Sequence, residues 1–309
     1  LVVASGTITH VDCNGNSTGS IDFGVVGGSS SYTYAWSDGA SYSATTEDIS
    51  NLPAATYTCT VTESNGCTVT GTTSFAVTEP AAALSASSTS VNVNCNGAST
   101  GSIDLTVSGG TTAYTYAWSD GANYSATTED ISNLAAGTYT CTVTDANSCT
   151  TTEQVTITEL AAIVTASSSQ TNVNCNGAST GAAAISVSGG NGTYTYTWSH
   201  DNTNNTATAS NLAAGNYTVS VVDGHNCPDD GDVSFTITQS ALVVASGTIT
   251  NVDCNGNSTG SIDFGVVGGS GSYTYAWSDG ASYSATTEDI SNLPAGPYTC
   301  TVTESNGCT

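Results

Sequence analysis

The chain has 309 residues, no lysine, no arginine and 25 acidic side chains, for a formal charge of -25 at pH 7. Without basic groups it cannot neutralise the phosphates of a nucleic acid or hold an anionic membrane, and its carboxylates must stay solvated, accept hydrogen bonds or share cations. A hydrophobic content of 38% with 15 Tyr and 4 Trp argues for packed cores rather than disorder, and eleven cysteines without a CxxC metal pair point to an oxidising, extracellular compartment.

In chain order, Leu1 to Ala4 is a short apolar run with no basic region before it. No apolar stretch approaches the roughly 20 residues that span a bilayer, so any export signal or anchor is expected outside this sequence. The first strand ends at Cys13 and the Asn14-Gly15 turn. In "SIDFGVV" Ile21, Phe23 and Val25 alternate with Asp22 and Gly24. In "YTYAW" Tyr32, Tyr34 and Trp36 share a face, and in "TYTCTVT" Tyr57, Cys59 and Val61 oppose Thr58, Thr60 and Thr62. Period-two alternation is the mark of half-buried strands. Turn signals at Gly27-Gly28, Asp38-Gly39 and Asn65-Gly66 separate them. This spacing predicts about six or seven strands per module and a β-sandwich. Tyr57, with Tyr139, Tyr217 and Tyr298, sits where immunoglobulin domains carry a tyrosine corner.

The whole pattern then repeats. "CNG" recurs at Cys13, Cys95, Cys175 and Cys254, and Trp36, Trp118, Trp198 and Trp277 follow with the same intervals of 82, 80 and 79 residues. A period near 80 suits one small domain per repeat. The expected modules are 1-80, 81-159, 160-240 and 241-309, the last without its final strand. Residues 242-309 match 1-68 except that His10, Ser30, Ala55 and Thr56 become Asn251, Gly271, Gly296 and Pro297. The connections "VTEPAAAL", "ITELAAIV" and "ITQSALVV" leave little slack. Flexible linkers are longer and richer in Gly and Ser, so the fold class read here is all-β, with tandem β-sandwiches end to end as a rod or filament.

The strings "YTYAWSDGA" and "ISNLPAATYTCTVTESNGCT" resemble the SprB repeat, a module found in tandem in surface adhesins of gliding Bacteroidota. Residues 91-121, "VNVNCNGASTGSIDLTVSGGTTAYTYAWSDG", carry the likeness most fully, and it extends over all four modules. The resemblance implies an immunoglobulin-like or PKD-like sandwich, export by the type IX route, and a role in adhesion or surface movement. Cys59, Cys141 and Cys300, and the lack of Lys and Arg, depart from the family pattern.

Module 3 keeps Cys175 and Cys227 but has Val219 where the others have Cys59, Cys141 and Cys300. The two retained cysteines are therefore expected to pair, which generalises to Cys13 with Cys67, Cys95 with Cys149, Cys175 with Cys227 and Cys254 with Cys308. Each such loop would contribute about 4 kcal/mol on the loop-entropy model. Cys59, Cys141 and Cys300 are expected to be unpaired and buried, with an intermolecular crosslink as the alternative.

No catalytic constellation emerges. His10 becomes Asn251 in the near-copy, His200 and His225 occur only in module 3, and the Ser-hydrolase, zinc-protease and phosphate-loop signatures are missing. The chain is therefore expected not to be an enzyme and to need no cofactor, with Ca²⁺ binding as the alternative. Asp12, Asn14 and Asn16, repeated by Asp253, Asn255 and Asn257, alternate oxygen ligands but lack the Gly and Glu of an EF-hand loop. They read as a solvated turn, with a loose Ca²⁺ site as the alternative. Sequons at Asn16, Asn123, Asn191, Asn204, Asn216 and Asn257, with dense Ser and Thr, offer glycan sites.

The expectation is thus a secreted or cell-surface structural or adhesive filament. Its partner would be further copies of itself, joined end to end and through strand donation to module 4. The alternative is a passive stalk or binding module that carries an enzyme or lectin domain elsewhere.

Overall fold

The computed structural model describes residues 3-28, 31-68, 73-241, 243-269 and 271-309. Leu1, Val2, Ser30 and Leu242, which figure in the sequence reading, lie outside them. Two compact units, Leu1–Glu159 and Leu160–Thr309, each hold two of the expected modules.

Among the described residues module 1 has seven strands: β1 (Val3–Thr9), β2 (Gly19–Val26), β3 (Tyr32–Ser37), β4 (Ser43–Ala44), β5 (Ile49–Leu52), β6 (Ala55–Glu63) and β7 (Thr73–Val77). One sheet has the order β1-β2-β5 and the other β4-β3-β6-β7. The alternation forecast from sequence sets the inner faces. Ile21 and Phe23 of β2, Trp36 of β3, and Tyr57, Cys59 and Val61 of β6 are buried together with Phe75 and Val77 of β7. Phe23 is the hub, with its ring edge-on to Trp36 at 5.0 Å and to Phe75 at 5.7 Å. The buried indole N–H of Trp36 donates to Thr46 O at 3.0 Å, and Trp118, Trp198 and Trp277 repeat that bond.

The tyrosine corner is present in every module. Tyr57, Tyr139, Tyr217 and Tyr298 each donate their hydroxyl to the carbonyl four residues earlier, at 3.0 to 3.1 Å. Cys59 is free and buried in the same core cluster as Phe23, so module 1 does not carry the immunoglobulin cystine at this position.

Modules 2 and 3 repeat the two-sheet plan with seven and six strands, and module 4 has six. Every ladder joins strands of one module only. At the β2–β5 pairing the register slips beside Asn51, whose positive φ of 57° recurs at Asn133, Asn211 and Asn292. Asn is the side chain that best tolerates this left-handed bulge position.

The strand directions decide where each loop lies. β1 runs antiparallel to β2 with Thr9 beside Ser20, so the Cys13 loop sits at the pole where β1 ends. Tyr32 pairs with Glu63, so the loop carrying Cys67 sits at the other pole, where β2 ends and β3 begins. β7 then returns to the first pole, where Val11 N donates to Thr78 O at 2.9 Å. The chain therefore enters a module beside the Cys67 type of loop and leaves it beside the Cys13 type.

Candidate functional site, the cysteine joints between modules

Both cysteine loops are built locally and alike in all four modules. In the loop after the first strand, a left-handed Gly (Gly15, φ 81°) lets the chain turn so that Asn16 N donates to Cys13 O at 3.0 Å. Asp12 N donates to Thr18 Oγ1 at 3.0 Å. Gly97, Gly177 and Gly256 hold the same turn. In modules 1 to 3 the end of the last strand ties this loop down: Gly15 N donates to Glu79 Oε2 at 2.5 Å, Gly97 N to Glu159 Oε2 at 2.6 Å and Gly177 N to Gln239 Oε1 at 2.8 Å.

The second loop is framed by an acidic residue four places before its cysteine. Glu63, Asp145, Asp223 and Glu304 are all buried. Their amides donate to the carbonyls of Cys67, Cys149, Cys227 and Cys308 at 2.8 to 3.0 Å. With no Lys or Arg in the sequence, amide groups are the main donors to these carboxylates. Asp145 accepts from the amides of Thr111 at 2.8 Å, Asn147 at 2.9 Å and Cys149 at 2.9 Å. Burial pushes its carboxyl up, but those three bonds outweigh the burial and leave it below its ordinary value. Asp223 is lowered in the same way by the amides of Cys227, His225 and Asn191, with the His225 ring adding a smaller pull.

These opposite-pole loops meet across adjoining modules. Cys13 of module 1 is bonded to Cys149 of module 2, and Cys175 of module 3 to Cys308 of module 4, with Cα separations of 5.8 and 5.4 Å. Each joint carries a second polar contact. Asn147 Nδ2 donates to Asp12 O at 2.9 Å, and Asn306 Nδ2 donates to Asn174 O at 3.1 Å.

The pairs expected within modules are therefore corrected. Cys13 does not bond Cys67, Cys95 does not bond Cys149, Cys175 does not bond Cys227, and Cys254 does not bond Cys308. Cys67 and Cys254, expected as half-cystines, are free and exposed. Cys95 and Cys227 are disulfide-bonded. The expectation that Cys13 and Cys67 share a pole fails because β2 carries the chain to the far pole, β3 brings it back, and β6, antiparallel to β3, ends at the far pole again.

Cys59 and Cys141 are free and buried, and Cys300 is free and half-buried; burial pushes all three thiols up. Protonated thiols are poor nucleophiles. Among the other residues singled out from sequence, Asn14 Nδ2 donates to Pro80 O at 2.8 Å. Asp253 accepts from Asn257 Nδ2 at 2.8 Å and Thr259 Oγ1 at 2.7 Å, which lower its carboxyl. Asn16 and Asn255 lie in the same turns, on the exposed side. Among the described residues no group of three or more His, Cys, Asp or Glu gathers as a metal site. His200 packs edge-on to Tyr217 at 5.1 Å, and His10 Nδ1 accepts from Thr78 N at 3.1 Å, both within their own modules.

The framing carboxylates escaped the sequence reading. Their signal was present as an acidic residue exactly four positions before Cys67, Cys149, Cys227 and Cys308.

The SprB repeat model matches residues 5–41, 87–123, 167–203 and 246–282, once in each module. No curated protein matches it. Among solved structures it is similar to the three N-terminal domains of the highly immunogenic outer capsid protein of bacteriophage RB49. That match is 14% identical and covers 96% of this chain and 100% of that one, at a TM-score of 0.35. It is also similar to Sidekick-1 immunoglobulin domains 1-5, at 12% identity over 99% of this chain and 78% of that one, with a TM-score of 0.33. The four N-terminal immunoglobulin domains of Dscam1 isoform 6.44 are 11% identical, over 99% and 97%, at 0.27.

Proposed function

We propose that this array of SprB repeats is a load-bearing, non-catalytic segment of an extracellular adhesive filament or fibre. The observation that carries the reading is the disulfide placed across adjoining modules rather than inside them. A cystine within a module protects only that module, whereas one that spans two modules passes tension past both of them. The repeat family and the oxidised cysteines support export to the cell surface. Exposed Ser and Thr along the outer strand faces leave room for a glycan coat.

Self-association end to end, including strand donation between copies, belongs to the same reading.

Pulling single molecules tests the load-bearing role. The Cys13–Cys149 loop spans 136 residues, so at about 3.5 Å per residue its reduction should release about 480 Å of hidden chain. A cystine closing 13 to 67 would release only about 190 Å on the same scale. If oxidised and reduced molecules extend to the same length, the joints carry no load and the reading fails.

A further inference from the structure

One face of every sandwich is free of charge, although the chain carries 25 acidic side chains. It is the outer face of the sheet that holds β3 and β6. Thr33, Ala35 and Ser37 of β3 lie there opposite Thr62, Thr60 and Thr58 of β6. The matching positions on the paired strands of modules 2, 3 and 4 hold only Ser, Thr and Ala, apart from Gln154, Asn216 and Val222. The outer face of the other sheet is different, because Asp22, Asp104 and Asp263 stand on it opposite Thr7, Thr89 and Thr248.

The hydroxyls on the uncharged face are turned to their own sheet. Thr33 Oγ1 donates to Thr62 O at 3.3 Å and Thr58 Oγ1 to Ser37 O at 3.2 Å. Thr115, Thr274 and Thr299 repeat these bonds at 3.2 to 3.3 Å. A hydroxyl that donates to its own sheet leaves the methyl as the group a partner meets. Ala35 beside Thr60, with Ala117 beside Thr142 and Ala276 beside Thr301, sets a hollow next to each central threonine.

We propose that two copies of the chain pack side by side through this face, sheet against sheet, so that filaments bundle laterally. Charge selects the second copy as the occupant. At -25 per chain most approaches bring acids together, and like-charge contacts are costly, whereas two of these faces meet with no acid between them. A partner with a basic surface would be drawn to the acidic faces instead. Area explains why the face is repeated. Thr56 to Thr62 spans about 20 Å and four strands about 14 Å, so one module offers roughly 300 Å². A stable interface takes about 800 Å² from each partner, which several modules of one chain can supply together, the first contact raising the effective concentration of the next. The inference takes its purpose from the filament reading and fails separately from it, since the pulling experiment probes joints within a single molecule.

The test uses the full chain with its exposed thiols alkylated, so that no disulfide links one chain to another. In sedimentation velocity the wild type should self-associate more strongly as salt rises from about 0.01 M to about 1 M and shortens the reach of its charge. T60D/T142D/S220D/T301D puts one acid at the centre of each uncharged face and should weaken association at least about tenfold. S5D/S87D/S167D/S246D adds the same charge to the outer face of the other sheet and should associate like the wild type. An unmutated readout comes from threonine-methyl NMR of the wild type over a dilution series, in which the signals of Thr60, Thr142 and Thr301 should shift and those of Thr7, Thr89 and Thr248 should not. A wild type that stays monomeric at every salt concentration overturns the proposal, even if a neutral polysaccharide shifts the same methyls. So do equal losses in the two variants, or shifts confined to Thr7, Thr89 and Thr248.

Discussion

Modules 1 and 4 share their sequence at all but four positions, yet their interiors differ. Ile21, Phe23, Tyr57 and Cys59 are at most 3% exposed in module 1. Their counterparts Ile262, Phe264, Tyr298 and Cys300 are only partly buried. The missing cover is β7. Phe75 and Val77 lie over the Phe23–Trp36 pair, and β6 gains a second ladder from Ala55 to Cys59. Module 4 also starts its equivalent of β6 later, at Thr299, where Gly296 and Pro297 replace Ala55 and Thr56 and Pro297 has no amide to offer a ladder. The difference measures what β7 contributes to the burial of the module 1 core. Local sequence sets the strands, and the final strand closes the core.

The largest effect expected from breaking this contrast comes from Phe75→Ala. It removes a buried ring touching both Phe23 and Trp36 and should cost module 1 about 3 to 5 kcal/mol. Amide exchange of the β6 segment 57-63 in the full chain should then rise toward that of 298-304, which should not change. A synthetic peptide of residues 73-80 probes the contrast from the other side. It should slow exchange at 298-304 and leave 57-63 as it was. No protection at saturating peptide would mean that module 4's slot does not accept this strand.

A smaller paired effect lies at the glycines beside the last strand. A Cβ on Gly19 would stand 2.6 Å from Val77 Cγ1 and 2.8 Å from Leu52 O. At Gly260, where no such valine is present, the nearest atom is Leu293 O at 3.0 Å. Gly19→Ala should therefore destabilise module 1 by about 1 to 3 kcal/mol through overpacking. Gly260→Ala should cost clearly less, and equal losses would show that the backbone rather than β7 sets the constraint.

How far the sequence predicted all this depends on the range of the interaction. Alternation in "SIDFGVV" and "TYTCTVT" placed the strands and their inward faces, because the period of a strand is a local property. The tyrosine corner was readable for the same reason, since Tyr57 bonds a carbonyl only four residues away. The cysteine pairing was not readable. Module 3's lone pair of cysteines is equally compatible with closing a loop inside each module or bridging to the next. Choosing between them needs the pole at which each loop emerges, a consequence of how β1, β2, β3 and β6 pair in space. In the turn carrying Asp12, Asn14 and Asn16, Asn14 Nδ2 donates to Pro80 O and the Asp12 carbonyl accepts from Asn147, long-range contacts that the spacing of oxygen ligands does not reveal.

The hydroxyl of the tyrosine corner gives the next step down. Tyr57 is fully buried and Tyr298 is not, although both donate to a carbonyl at 3.0 to 3.1 Å. Tyr57→Phe should cost about 1 kcal/mol because it removes a partly buried hydrogen bond made by a side chain shielded from water. Tyr298→Phe should cost less, since water can replace the lost donor.

The smallest effect concerns acid, and it distinguishes the joint of module 2 from the rest of its sandwich. Three amide bonds hold the Asp145 carboxyl below its ordinary value. A carboxyl lowered by folding gives stability that is fully present above its unfolded value, near 3.9, and that is lost as pH falls through the folded one. Amide exchange at Asn147 and Cys149, corrected for its intrinsic pH dependence, should therefore be constant from pH 7 to about 4.5 and quicken below about 4. The core strand at Cys141 and Val143 should stay protected over the same range, because no carboxylate bond holds it. Asp145→Asn keeps the shape of the side chain but cannot gain a proton, so it should remove the pH step while raising exchange at every pH. A step that survives in this variant would assign the acid sensitivity to another group.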